Sequence, residues 1–128
     1  MIRDISIVIP IYNEQDNKTQ LIKEIRLVLE KKINYEIIIV DDGSDDNTYE
    51  VVNKINKINK NINIISHKKN YGQSIGLRTG IIEAKSEYIV TLDGDGQNDP
   101  KDILKLIKPF DSKVSFMMVI GNRVNRID

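Results

Sequence analysis

The residues best equipped for chemistry in this 128-residue chain stand at Asp93-Gly94-Asp95-Gly96-Gln97. They follow Glu87-Tyr88-Ile89-Val90-Thr91-Leu92, an apolar run that reads as a strand. In extended backbone the side chains alternate, so Asp93 and Asp95 point to one side. Two carboxylates about 5 Å apart repel by roughly 3 kcal/mol at an effective dielectric near 20. A hard divalent cation relieves that repulsion, and Gln97 continues the spacing with a third oxygen ligand. Taken alone, the stretch also suits an ordinary turn, since Gly, Asn, Asp and Pro dominate turns. Asp99 would then cap a helix that Pro100 begins.

The surrounding elements bear on that choice. Ile5-Ser6-Ile7-Val8-Ile9-Pro10-Ile11 is a continuous apolar run, the pattern of a parallel strand buried on both faces. It runs into the polar loop Tyr12-Asn13-Glu14-Gln15-Asp16-Asn17. Leu21, Ile22, Ile25, Val28 and Leu29 then recur at helical spacing, predicting a helix through about Lys32. A second buried strand, Tyr35 to Val40, breaks into Asp41-Asp42-Gly43-Ser44-Asp45-Asp46. Val51, Val52, Ile55 and Ile58 mark a second helix, and Ile62 to Ser66 a third strand. A third helix is expected from Gln73 to Ala84, with Gly72, Gly76 and Gly80 four apart on one side for close packing on the sheet. A fourth helix from Asp99 to Pro109 and a fifth strand from Val114 to Ile120 complete the alternation.

Such alternation predicts an α/β fold: a three-layer α/β/α sandwich around a mainly parallel sheet with right-handed crossovers. Ligands in these sheets bind beyond the carboxyl ends of the strands, where strand order reverses. With the order 3-2-1-4 plus a fifth strand, the loops carrying Tyr12-Asn13-Glu14, Asp41-Asp42-Gly43-Ser44 and Asp93-Gly94-Asp95 meet at one crevice. Three acidic clusters on one rim favour a site over three independent helix caps. An acidic rim takes an anionic phosphate only when cations offset its charge. A metal on Asp93, Asp95 and Gln97, with Arg123 and Arg126 as diphosphate clamps, suits a reaction whose leaving group is a nucleoside diphosphate.

Composition narrows the partners. The 19 Lys and Arg balance the 19 Asp and Glu, so nothing marks electrostatic capture of nucleic acid. There is no cysteine, hence no disulfide framework and no thiol nucleophile, which fits the cytoplasm. No apolar run reaches the roughly 18 residues of a membrane span. The length is that of one domain, and no linker divides it. The lone His67, beside Lys68 and Lys69, is expected to be solvated and receives no role.

Four stretches carry a family resemblance: Val8-Ile9-Pro10-Ile11-Tyr12-Asn13-Glu14, Val40-Asp41-Asp42-Gly43-Ser44-Asp45-Asp46, Asn70-Tyr71-Gly72-Gln73-Ser74 and Thr91 through Pro100. In that order and spacing, the chain resembles family 2 glycosyltransferases of the GT-A fold. With Gly121-Asn122-Arg123, Arg126 and Asp128 it looks most like the dolichol- or polyprenyl-phosphate sugar transferases. The resemblance implies a nucleotide-diphosphate sugar donor, Mg2+ or Mn2+, and inverting transfer to an acceptor such as a polyprenyl phosphate. It places Pro10, Tyr12, Glu14 and Gly72 at the nucleotide-sugar pocket, and either Asp41 or Asp42 on the base or ribose. Asp93 and Asp95 match the metal-binding Asp-x-Asp motif and Gln97 a further ligand, with Asp93 also reaching the nucleotide sugar. Arg123 would approach the diphosphate.

Family members continue for at least as many residues again, and that half carries the acceptor site and often the catalytic base. The chain is therefore expected to be the donor-binding part, at the cytoplasmic face of the membrane, with no catalytic base of its own and an exposed sheet edge open to self-association. A non-catalytic nucleotide-binding fragment is the alternative. A phosphoacceptor receiver domain fits less well, since its acid pair follows the first strand and here the pair follows the second.

Overall fold

The computed structural model describes residues 4–13, 18–47, 49–50, 53–55, 61–92, 103 and 117–120. Five parallel strands form one sheet in the order β3-β2-β1-β4-β5. They are β1 (Asp4–Ile11), β2 (Asn34–Asp41), β3 (Ile62–Ser66), β4 (Tyr88–Thr91) and β5 (Met117–Ile120). Strand order reverses between β1 and β4, in line with the expected order 3-2-1-4, because β1 is flanked by β2 on one side and β4 on the other.

The central strand shows why its sequence is apolar throughout. Ile5, Ile7, Ile9 and Ile11 face one layer, where they pack with Leu21, Ile22, Ile25 and Leu29 of α1 (Lys18–Leu29) and with Ile103. Val8 faces the other layer, with Ile38, Val40 and Ile89 and with Leu77 and Ile81 of α2 (Gln73–Glu83). β-branched residues suit such a pleated, doubly covered surface, and each fully buried Ile or Val contributes about 1.5–3 kcal/mol.

Two helix boundaries have local causes. The sequence predicts the first helix through about Lys32, but α1 ends at Leu29. Lys31 takes a left-handed φ of 64°, and the amides of Lys32 and Ile33 turn back to the Leu29 carbonyl. The glycine pattern in α2 divides. Gly76 and Gly80 are buried against the sheet, with a Cβ on Gly76 falling 3.2 Å from the Pro10 Cβ. Gly72 does not join that packing: nothing lies within 4 Å of where its Cβ would stand, and its φ is 102°. Of the expected second helix, residues 49–50 and 53–55 are helical. The expected helix after Asp99 falls largely outside the described residues.

Candidate functional site

β1, β2 and β3 end level with one another. Ile11 stands beside Asp41, and Asp41 beside Ser66. The pairing continues one step past the strands, from the Asp42 amide to the Ile11 carbonyl (2.9 Å) and from the His67 amide to the Asp41 carbonyl (2.8 Å). The loops leaving these strands therefore start shoulder to shoulder at the carboxyl edge of the sheet.

The first two loops are tied reciprocally. The Asn13 amide donates to Ser44 Oγ at 2.9 Å, and the Asp45 amide donates to Asn13 Oδ1 at 3.0 Å. Asn13 holds a left-handed φ of 50°, which Asn tolerates better than most residues. Tyr12, just before it, is exposed. Pro10 is buried within β1 beside Val40, on the face that meets Gly76.

The second and third loops are tied through Asp42. Its Oδ1 accepts from the His67 ring at Nδ1 (2.8 Å) and from the Tyr71 amide (3.0 Å), and its Oδ2 accepts from the Gly72 amide (2.8 Å). Its backbone carbonyl accepts from the Asn70 side chain at 3.3 Å. Burial works to raise the Asp42 pKa, yet the His67, Tyr71 and Gly72 donors together outweigh it, so the carboxyl lies below its ordinary range. Gly43 completes the junction. Its φ is 75°, and a Cβ there would overlap the backbone of Lys69 and stand 2.6 Å from the Asn70 nitrogen. Only glycine lets the two loops touch this closely.

Side-chain alternation separates the acid pair. Asp41 follows Ile37 and Ile39 toward the α1 layer, whereas Asp42 follows Ile38 and Val40 toward α2. Both are buried, each 3% exposed. Asp42 spends both oxygens on the third loop. Asp41 accepts the Ser44 amide at Oδ1 (3.1 Å), and its Oδ2 has no hydrogen-bond partner among the described residues.

His67 differs from its expectation. It is not a solvated neighbour of two lysines. Its side chain is 12% exposed, held between Asp42 and Thr79 Oγ1 (2.8 Å at Nε2), with the Tyr71 ring edge-on at 5.4 Å. The third loop as a whole joins the rim, which the sequence reading built from the first, second and fourth loops. Tyr71 is half exposed there, with Lys69 Nζ 5.4 Å above its ring.

Glu14, Asp93, Asp95, Gln97, Arg123 and Arg126 lie outside the described residues. Leu92, the residue before Asp93, still donates its amide to the Val8 carbonyl at 3.0 Å, so the chain leaves β4 alongside β1. Among the described residues no group of three His, Cys, Asp or Glu could hold a metal. No helix among them is long and apolar enough to cross a membrane. A broad open depression also lies at the opposite edge of the sheet, lined in part by Asn34, Glu36, Asn61, Lys85 and Ser86. There Glu36 accepts from Ser6 Oγ (2.5 Å) and the Lys85 amide (2.7 Å), contacts that hold the entry to β4. It sits at the amino ends of the strands, away from the acidic loops.

A family model described as glycosyl transferase family 2 matches residues 6–127. An undecaprenyl-phosphate 4-deoxy-4-formamido-L-arabinose transferase of Proteus mirabilis is 36% identical over 99% of this chain and 39% of its own length. A dodecaprenyl-phosphate galacturonate synthase of Rhizobium johnstonii is 32% identical over 98% of this chain and 37% of its own length. The chain thus spans under two-fifths of these relatives. A mannosyltransferase from Pyrobaculum calidifontis, solved in complex with GDP-Man and Mn2+, shares the fold with a TM-score of 0.75 at 20% identity, over 85% of this chain and 32% of that one.

Proposed function

This chain belongs to glycosyl transferase family 2, and we propose that it forms the donor side of a sugar transferase that uses a nucleotide-diphosphate sugar. The observation that carries this reading is the division of labour in the acid pair. Asp42 is consumed in holding the third loop, while one buried oxygen of Asp41, at the carboxyl edge of the sheet, has no partner among the described residues. Of the two candidates for the base or ribose, Asp41 is the better placed to accept a hydrogen bond from a ligand, since its Oδ2 has no partner among the described residues. Ser44 holds its other oxygen, so the carboxylate meets the ligand already oriented.

Two carboxylates and an amide oxygen form a donor set suited to a hard divalent ion, and Asp93, Asp95 and Gln97 are the residues that would hold Mg2+ or Mn2+. Such an ion supplies charge neutralisation as the diphosphate departs. Arg123 would add a fixed cation against the same phosphates. Tyr12 and Glu14 would close the pocket on the side of the first loop, and the Gly72 amide, through Asp42, keeps the third loop in place.

The relatives' names support a polyprenyl phosphate as the acceptor. Transfer from a diphosphate leaving group by direct displacement inverts the sugar carbon, and a lipid acceptor calls for docking at the cytoplasmic membrane surface. The relatives extend well beyond the span matched here, and that further sequence is where acceptor-binding residues are proposed to lie.

Thermal melts with UDP, GDP and CDP and their sugars, with and without Mn2+, test the reading. One nucleotide class should stabilise the chain in the presence of metal, by about 2.7 kcal/mol at a hundredfold excess over Kd. Asp41→Asn should remove that stabilisation while leaving the melt without ligand close to that of the unaltered chain. Absence of any shift across the panel rejects a donor site.

A further inference from the structure

Three of the rim's features converge on His67, a residue that the family resemblance leaves without a role. Its Nδ1 faces Asp42 Oδ1 at 2.8 Å, and its Nε2 faces Thr79 Oγ1 at 2.8 Å. Its own amide is fixed to the Asp41 carbonyl at the end of β2. The ring thus spans from the carboxyl edge of the sheet to the second turn of α2.

Donor and acceptor counting decides what the ring does there. Asp42 is ionised and accepts only, so Nδ1 must carry a hydrogen and donate it. Thr79 has a single hydroxyl hydrogen, and its Oγ1 lies 3.0 Å from the Ile75 carbonyl, the i−4 partner that mid-helix threonines take. The ring therefore bridges the two elements, and either Nε2 or the Thr79 hydroxyl can donate in the second bond. The charged groups near the ring are Asp42 from the end of β2 and, on its own loop, Lys68 and Lys69, which are exposed; α2 presents the neutral Thr79, and Tyr71 packs edge-on.

We propose that His67 is a positioning residue of the donor site, its two ring nitrogens clamping Asp42 to Thr79. Asp42 in turn holds the Tyr71 and Gly72 amides, so the clamp sets the third loop against Gly43 and the Asn13–Ser44 junction. Tyr71 and Lys69 are delivered to the rim on that loop. The proposal rests on the donor-site reading for its effect on binding, but not for the state of the ring.

The two parts are separable by experiment on the chain itself. Nitrogen-15 NMR of the His67 ring should show a proton on Nδ1, toward Asp42. A ring with no proton on Nδ1 overturns the clamp whatever the chain binds. Calorimetric titration with UDP and GDP in the presence of Mn2+ then compares Thr79→Val, which removes the acceptor yet keeps the β-branched shape, with Thr79→Ser, which restores the hydroxyl. Thr79→Val should weaken nucleotide binding about tenfold, with shifts of the Tyr71 and Gly72 amide signals and a melting temperature close to that of the unaltered chain. Thr79→Ser should recover binding to within about twofold. Equal affinity in all three proteins overturns the positioning role. If the unaltered chain binds neither nucleotide, the donor-site reading fails and the positioning role fails with it, while the ring protons remain decided by NMR.

Discussion

Gly80 lies so close beneath Val8 that a Cβ on the glycine would overlap a Val8 methyl. Within a helix, Gly→Ala ordinarily gains about 0.5–1 kcal/mol from reduced backbone entropy. Here the neighbour is a fully buried β-branched side chain with no free rotamer to retreat into. Overpacking at about 1–3 kcal/mol outweighs the gain, so Gly80→Ala should lower the urea midpoint. Adding Val8→Ala to it should recover part of the loss on that mutation's own background. A midpoint that rises in the single variant contradicts the close approach.

Two positive-φ glycines should respond differently. Gly43 abuts the backbone of Lys69 and Asn70, whereas Gly72 faces open space. Both Ala variants bear conformational strain, but only Gly43→Ala must also push a second loop aside. It should cost about 2 kcal/mol more than Gly72→Ala in denaturant melts, and it should weaken nucleotide binding more. Equal losses would mean that the two loops do not meet as described.

Asp42 makes a pH prediction with a definite sign. Its folded pKa lies below the ordinary 3.8, so its contribution to stability is present above that value and disappears as pH falls through the folded pKa. Asp42→Asn should therefore cost a constant amount, about 1–3 kcal/mol, between pH 5 and 7. The gap between variant and unaltered chain should then close below about pH 4. An equally large gap at pH 3 would place the stabilisation elsewhere.

Asp93→Ala and Asp95→Ala should each abolish the Mn2+-dependent part of any nucleotide-induced shift while leaving a metal-independent remainder from Asp41. Both variants should melt like the unaltered chain in the absence of ligand and metal. A full metal-dependent shift in either variant removes these residues as ligands.

The parts of the fold that were legible in the sequence are those set by hydrophobic period. Continuous apolar runs marked β1 and β2 as buried on both faces, and Leu21, Ile22, Ile25 and Leu29 marked the face of α1. Strand-helix alternation gave the parallel α/β class, and the order 3-2-1-4 supposed for it appears in the sheet. His67 was misread because its sequence neighbours are lysines, while its actual partners, Asp42 and Thr79, stand 25 and 12 residues away. The acid pair was left undivided, although period two alone sends Asp41 and Asp42 to opposite faces. Gly72 shares the four-residue spacing of Gly76 and Gly80 but precedes the helix, and only its backbone angle reveals that its task is the turn.

The parallel register of the sheet has a consequence for how the chain acquires its structure. No strand pairs with another through a tight hairpin, since every neighbour is parallel and reached by a crossover. β1 acquires its second neighbour only when β4 arrives, and the Ser86 amide that bonds Ser6 Oγ lies 80 residues downstream. A nascent chain must therefore carry Ile5 through Ile11 with one edge unpaired until Tyr88–Thr91 has been made. Such distant pairings make folding slow, and the interval before β4 joins is when the most apolar segment is open to aggregation or to a chaperone.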